Sequence, residues 1–337
     1  MVVLYTSGST GKPKGVVLNH RGYANRFRWQ QELFPVKVGD RVAQKTSCCF
    51  DVSIWELFWP LMHGAIVCPV RREVVSNPWS LAEWMARDRI QIMHFVPSLF
   101  GEFVRAIGND TGEFRELRWL IFSGEALPKE PVSLWRSRFG NRVGLANLYG
   151  PTEASIDVTA HVLPEHLADS AIPIGRPMPG CVTVITREDG TECGIGEVGE
   201  LCLGGVQLAV RYHDDPESTR KAFVTRRFAD GNESIIYRTG DLAALRSDGD
   251  IEYHGRLDSQ VKIRGFRVEL GEIEATLNQC AGVDESAVVV EGLFSREPRL
   301  LAFVASSSEA VNEARVRNQL RTTLPSTTAE KIGVIGV

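Results

Sequence analysis

Apolar and polar positions along this chain follow two rhythms in turn. Through about residue 150, short apolar runs alternate with stretches whose apolar residues recur at helical spacing. Val2-Val3-Leu4 leads in as a buried strand. Asn19 is placed to cap a helix running to about Leu33, and Asp40 to Gln44 reads as a strand. Asp51 opens the apolar stretch Val52-Ser53-Ile54-Trp55-Glu56-Leu57-Phe58-Trp59-Pro60-Leu61, which suits a buried helix stopped near Gly64. Ala65 to Val70 reads as a strand, Asn77-Pro78 starts a helix through Arg87, and Ile90 to Phe95 is the next strand. Pro97-Ser98 starts another helix. Leu117 to Phe122 and Val143 to Asn147 read as strands around a helix from Lys129 to Phe139. Strands alternating with helices predict a mostly parallel sheet covered on both faces, with its site at the carboxyl ends of the strands.

From about Gly175 the rhythm changes. Val182–Ile185, Gly199–Leu203, Ile235–Tyr237 and Asp250–Tyr253 are short strands divided by glycine-rich turns, the texture of a small β-barrel or distorted sandwich. Around Asp258 it changes again. Glu269 to Cys280 reads as a helix, Ala287–Val290 and Leu300–Val304 as strands, and Glu309–Leu324 as a helix. The expected organisation is therefore α/β, with a layered αβα core over residues 1–175, a β-barrel subdomain over 176–257 and a smaller α+β subdomain over 258–337. The stretch after Leu324 offers no clear element.

Composition narrows the class. At 43% hydrophobic and 24% charged, the chain has the make-up of a soluble globular protein. Its net charge of -4 gives no basic footprint for nucleic acid. No apolar run approaches the roughly 20 residues of a membrane helix. The seven cysteines are scattered, without a CxxC pair or a His/Cys cluster. Structural zinc and a disulfide framework are thus not expected, and reduced thiols in the cytoplasm are.

The candidate chemistry begins with Tyr5-Thr6-Ser7-Gly8-Ser9-Thr10-Gly11-Lys12-Pro13-Lys14-Gly15. Glycines allow close backbone approach, and hydroxyls, N–H groups and lysines suit a polyphosphate; a mobile turn is the alternative. The spacing is not that of a Walker A loop. Tyr149-Gly150-Pro151-Thr152-Glu153 offers an aromatic face, a hydroxyl and a carboxylate able to hold Mg²⁺, or forms a plain turn. Asp241, closing Tyr237-Arg238-Thr239-Gly240-Asp241, suits ribose hydroxyls or a hairpin turn. Asp51 is either a helix N-cap or a buried anion that demands a cation, such as an α-ammonium. His94 and Asp157 are polar among apolar neighbours, which for a histidine also fits a satisfied core residue.

In combination and order, these stretches resemble the adenylation domains of nonribosomal peptide synthetases, within the adenylate-forming superfamily. Further matching stretches are Phe50-Asp51-Val52-Ser53-Ile54-Trp55-Glu56, Gly199-Glu200-Leu201-Cys202-Leu203-Gly204-Gly205 and Gly255-Arg256-Leu257-Asp258-Ser259-Gln260-Val261-Lys262-Ile263-Arg264-Gly265. The resemblance implies that Thr6, Ser7, Gly8, Ser9, Thr10 and Gly11, with Lys14, cradle the ATP phosphates. It implies that Gly124, Glu125, Ala126 and Asn147 border adenine and that Tyr149 stacks on it. Thr152 would contact the α-phosphate and Glu153 would hold Mg²⁺. Asp241 would bind the ribose, helped by Tyr253 and Arg256. Asp258 corresponds to a hinge, and Lys262 to the loop facing the phosphopantetheine arm of a carrier domain.

The resemblance also implies an amino-acid pocket formed by Asp51, Val52, Trp55, His94, Ile121, Ser123, Leu148, Ile156 and Asp157, with Asp51 anchoring the α-ammonium. This set resembles that of serine-activating domains, with Ile121 where Leu or Phe is commoner. His94, Ser123 and Asp157 would be left unpaired by an apolar side chain, at about 1–3 kcal/mol each. The expected activity is formation of aminoacyl-AMP from ATP and L-serine, then transfer to a carrier-domain thiol, with a condensation domain as neighbour. Three departures qualify the resemblance. The family's core begins well before the phosphate loop, and its near-terminal Pro-x-x-x-x-Gly-Lys motif, whose lysine bridges substrate and ATP, is not reached. The expectation is therefore a piece truncated at both ends that adenylates poorly by itself. Arg211 also stands where a glycine is usual, which questions the local turn.

Overall fold

The computed structural model describes residues 2–7, 13–108, 114–228, 231–258, 260–263, 266–292, 299–306, 312–324, 329 and 332–336. The chain divides into two compact units, Met1–Leu4 with Gly15–Leu257, and Tyr5–Lys14 with Asp258–Val337.

Strands β1 (Val2–Thr6) and β2 (Lys14–Leu18) lead to helix α1 (His20–Leu33), whose first turn is capped by the Asn19 side chain accepting from Gly22 N–H at 2.8 Å. Strand β3 (Arg41–Gln44), α2 (Val52–Met62), β4 (Ile66–Pro69), α3 (Arg72–Val75), α4 (Pro78–Arg87), β5 (Ile92–Phe95), α5 (Pro97–Ala106), β6 (Trp119–Phe122), α6 (Lys129–Phe139) and β7 (Gly144–Tyr149) follow. Strands β8 (Thr159–Val162) and β9 (Arg176–Pro177) complete a seven-stranded sheet ordered β4-β3-β5-β6-β7-β8-β9. The strands from β4 to β7 pair in parallel; β8 and β9 add antiparallel. One face is buried by Leu81, Met85, Phe100, Phe103 and Trp135, and the other by Tyr23, Phe27, Trp55 and Trp59. Both faces are therefore covered by helices, as the alternating pattern requires. Register places Phe95, Phe122 and Asn147 side by side at the carboxyl ends of β5, β6 and β7.

The glycine-punctuated segment forms an antiparallel sheet of β10 (Cys181–Thr186), β11 (Val198–Gly205), β13 (Phe223–Arg227), β14 (Glu233–Leu245) and β15 (Ile251–Arg256), in the order β10-β11-β14-β13 with β15 also on β14. Helix α7 (Pro216–Ala222) precedes β13. Strand β12 (Arg211–Tyr212) instead joins β1 and β2, pairing Arg211 with Val17 and Tyr212 with Val16. This answers the question raised by Arg211. Its backbone is ordinary strand, outside the positive-φ region, so no glycine is needed there.

The second unit contains the hairpin β16 (Gln260–Ile263) and β17 (Phe266–Glu269), helix α8 (Leu270–Leu277), strands β18 (Glu285–Glu291) and β19 (Arg299–Ala305), and helix α9 (Glu313–Thr323). The last stretch corrects the sequence expectation. Ile332–Gly336 is a strand, β20, pairing in parallel with β19, with Ile332 and Val334 buried. Alternation over so few residues is too short a signal to separate from a loop.

Candidate active site

The pocket is built where β5, β6 and β7 end and α1 and α2 cross the sheet. Glu56 of α2 is fully buried and accepts from Thr46 N–H at 2.9 Å, Thr46 Oγ1 at 2.7 Å and Lys45 N–H at 3.1 Å. That ties down the segment leading to Asp51. Asp51 makes no side-chain cap to α2. It is largely withdrawn from water, and burial pushes its carboxyl up to about 6. The charges of Asp157 and Glu153 act in the same direction, against hydrogen bonds from the Thr152 hydroxyl and Val52 N–H. Among the described residues no ion pair reaches it. Asp51 thus stands at the N-cap position of α2, half-buried, with its carboxylate turned to Thr152 and Val52 rather than capping the helix.

The side-chain wall differs from the sequence expectation in one respect. His94, Ser123 and Asp157 are brought together with Trp55, Ile121, Leu148 and Ile156, but the three polar groups already have partners. His94 Nε2 and Ser123 Oγ are 2.9 Å apart. Asp157 Oδ2 accepts from Arg26 Nη2 at 2.8 Å, a pair with both side chains almost fully buried. The polar atoms left over are His94 Nδ1 and Trp55 Nε1, buried without a hydrogen-bond partner among the described residues. The two rings stand perpendicular, 6.1 Å apart. Burial, reinforced by the positive charges of Lys45 and Arg26, holds His94 well below its usual range, so the imidazole is neutral at pH 7.

The turn after β7 is strained. Ser155 has φ 57° and the β-branched Ile156 φ 85°, a backbone region such residues rarely adopt. Three residues hold it. Ser155 Oγ donates to Gln207 O at 2.7 Å, and Gln207 Nε2 donates to Asp157 O at 2.7 Å. Gly150 permits the fold-back, since a Cβ there would lie 2.4 Å from Ile156 O and 2.6 Å from Asp157 Cα. Within the same turn, buried Glu153 accepts from Tyr212 Oη at 2.8 Å. Burial and that carboxylate keep the Tyr212 phenol protonated. A single carboxylate of this kind suits a Mg²⁺ carried by a nucleotide, which needs only one or two protein ligands. Among the described residues there is no group of three His, Cys, Asp or Glu able to hold an ion alone.

A second cluster forms beside it. Tyr149 Oη donates to Asp241 Oδ2 at 2.5 Å, and Arg256 Nη1 to Asp241 Oδ1 at 2.6 Å. The rings of Tyr149 and Tyr253 are 6.5 Å apart. A bulge in the β11–β14 pairing between Glu200 and Cys202, with Gly240 at φ 71°, positions Asp241. Glu200 locks the bulge, accepting from Arg238 at 2.7 and 2.9 Å and from Gly240 N–H at 3.1 Å. Asn147 donates to Pro173 O at 2.8 Å, while its Oδ1 is buried without a partner among the described residues. Gly124 has φ 91°, Glu125 accepts from Ser98 N–H at 2.9 Å, and Ala126 is exposed.

Other expected site residues fall elsewhere. Thr6 closes β1, Ser7 follows it and Lys14 opens β2; these group with the second unit. Gly8, Ser9, Thr10 and Gly11 lie outside the described residues. Lys262 is on β16 opposite Arg267, and its side chain lies outside the described residues; Asp258 is where the second unit resumes. Sequence reasoning missed Arg26, Gln207 and Tyr212. The one signal available was Arg26 and Gln30 sharing the helical face of Tyr23 and Phe27, polar residues in an otherwise core-facing stripe.

The helix-covered parallel sheet, antiparallel sheet and α+β unit make up part of an adenylate-forming fold, and comparison with known proteins agrees. The profile of the AMP-binding enzyme family matches residues 1–213. The chain belongs to that family. It is 41% identical over 328 residues to zwittermicin A synthase ZmaJ of Bacillus cereus, a match spanning 96% of this chain and 62% of that protein. Among solved structures it superposes on the Vibrio cholerae adenylation domain AlmE, in complex with glycyl-adenosine-5'-phosphate, with a TM-score of 0.87 and 28% identity. That match covers 99% of this chain and 62% of the other. A fused adenylation–PCP di-domain, NpsA-ThdA from Klebsiella oxytoca, gives a TM-score of 0.82 at 28% identity, covering 98% and 64%. The chain thus spans less than two thirds of these relatives' length.

Proposed function

We propose that this chain activates an α-amino acid, L-serine, as its acyl-adenylate and passes it to the phosphopantetheine thiol of a carrier domain in nonribosomal peptide synthesis, beside a condensation domain. The observation that carries the reading is Asp51. A mostly buried carboxyl among other acids, with no ion pair among the described residues, calls for a cationic ligand group. The α-ammonium of an amino acid supplies one; an aryl or fatty acid does not.

The substrate carboxylate attacks the α-phosphorus of ATP in line and pyrophosphate leaves. Both partners are anionic, so positioning and charge neutralisation supply most of the catalysis. Thr152 meets the α-phosphate and Glu153 holds Mg²⁺, which when bound offsets phosphate charge. Thr6, Ser7, Gly8, Ser9, Thr10, Gly11 and Lys14 take the remaining phosphates. Asn147 Oδ1 accepts from the adenine amine, Tyr149 stacks on the ring, and Asp241, with Tyr253 and Arg256, takes the ribose hydroxyls. A carboxylate has about four acceptor positions, so the two bonds to Asp241 seen among the described residues leave room for a diol. Gly124, Glu125 and Ala126 border the base, Asp258 is the hinge, and Lys262 serves the thioester-forming arrangement.

Serine is favoured because a short hydroxyl both donates and accepts, which suits His94 Nδ1 and Trp55 Nε1 on the wall. All seven cysteines are free, which fits a reducing cytoplasm, and among the described residues no helix is long and apolar enough to cross a membrane. The test is ATP–pyrophosphate exchange across a panel of acids, on the chain with its native flanking sequence. Serine should give the strongest exchange; stronger exchange with threonine, alanine or cysteine overturns the assignment, and exchange with aryl or fatty acids alone overturns the amino-acid reading.

A further inference from the structure

The pocket sets buried Asp157 against a fixed arginine, with half-buried Asp51 nearby. Asp157 is near enough to Asp51 for its charge to oppose ionisation of the Asp51 carboxyl. Arg26, fully buried on α1, bonds Asp157 through Nη2 at 2.8 Å and reaches Gln30 Oε1 through Nη1 at 2.7 Å. Its guanidinium also lies 4.9 Å from the Trp29 ring centroid. The helix is fitted closely to the strained turn that carries Asp157. A Cβ at Gly22 would lie 2.6 Å from Ser155 Oγ, and Asn25 Nδ2 donates to Gln207 Oε1 at 3.0 Å. Arg26 is thus held in place by its own helix, hydrogen-bonded to Asp157 and near enough to Asp51 for their charges to interact, but without an ion pair to it among the described residues.

We propose that Arg26, acting through Asp157, fixes the charge of the side-chain wall and makes the pocket select an uncharged substrate side chain. The inference rests on the amino-acid reading above. Arg26 is a positioning residue: it neutralises Asp157, which leaves Asp51 as the acid available to a ligand cation. Without the guanidinium the pocket would present two unneutralised carboxylates and call for two cations. A diamino acid the size of serine, 2,3-diaminopropionate, would then fit, its side-chain ammonium replacing the serine hydroxyl.

The test measures dissociation constants of seryl-, 2,3-diaminopropionyl- and aspartyl-sulfamoyladenosine by calorimetry on the whole chain. The unmodified protein should prefer the seryl compound. Arg26→Met should shift the ratio toward the diaminopropionyl compound by at least about tenfold. Arg26→Met with Asp157→Asn should restore the seryl preference, and Arg26→Lys should keep it. An Arg26→Met protein that melts cooperatively and keeps the original ratio overturns the proposal, as does a double variant that fails to restore it. Should Arg26→Met not fold, Asp157→Asn decides. It leaves the guanidinium without that acid and should shift preference toward the aspartyl compound; an unchanged ratio overturns the proposal. If the unmodified protein binds none of the three, the amino-acid reading falls and the inference with it.

Discussion

Tyr149 and Asp241 are joined by a 2.5 Å hydrogen bond between residues 92 positions apart, which ties the end of β7 to the bulge in β14. Burial and the neighbouring carboxylate keep the phenol protonated, so it remains a donor throughout the physiological range. Tyr149→Phe keeps the ring but removes this donor. ATP affinity, measured by calorimetry, should fall about tenfold, with about 1–3 kcal/mol lost from thermal stability. Asp241→Asn should cost more affinity, because it also weakens the contact to Arg256.

Asp51 makes the site pH-dependent in two opposite senses. Its folded value of about 6 lies above the ordinary 3.8, so the native state holds a proton that the unfolded chain has released. Its contribution to stability is fully present below about pH 4 and is lost as pH rises to about 6. Affinity for a ligand ammonium needs the charged carboxylate, so it should climb by up to about tenfold per unit toward pH 6 and then level off. Denaturation and binding measured across this range should both flatten in Asp51→Asn.

Gly150→Ala should be severe. Its Cβ would meet the Ile156 and Asp157 backbone, which cannot swing aside as a flexible side chain can. A loss of at least about 3 kcal/mol is expected by chemical denaturation. Gly271→Ala is the contrast. It lies in α8 with nothing within 4 Å of an added Cβ, so the change should be neutral or stabilise by up to about 1 kcal/mol.

Tyr212→Phe separates positioning of Glu153 from its proposed role in holding Mg²⁺. With the carboxylate retained but its 2.8 Å donor gone, the Mg²⁺ concentration for half-maximal exchange should rise severalfold. Glu153→Gln should cut the exchange rate by about 10²–10³ at any Mg²⁺ concentration. Titrating the metal in both variants distinguishes the two roles.

Local signals made much of the core readable. Asn19 caps α1, Asn77-Pro78 opens α4, and α6 runs from Lys129 to Phe139 as its pattern implies. The strand ends that gather Ser123, Asn147 and Tyr149 follow from the same alternation. The relationships that give the pocket its character are long-range. Arg26 meets Asp157 across 131 positions and Ser155 meets Gln207 across 52, and no local spacing encodes either pairing. For that reason three polar wall residues read as awaiting a ligand, when two bond each other and the third bonds an arginine. Strands β9 and β12 were unreadable because two residues are too few for a period to emerge.

The most direct test of the account is whether a ligand's α-ammonium is what Asp51 holds. Calorimetry should compare seryl-sulfamoyladenosine with the same compound bearing hydrogen in place of the α-amino group, on the unmodified chain and on Asp51→Asn. The account predicts that the amino compound binds at least about tenfold more tightly to the unmodified chain and that the advantage disappears in Asp51→Asn. Equal binding of the two compounds by the unmodified chain would contradict it.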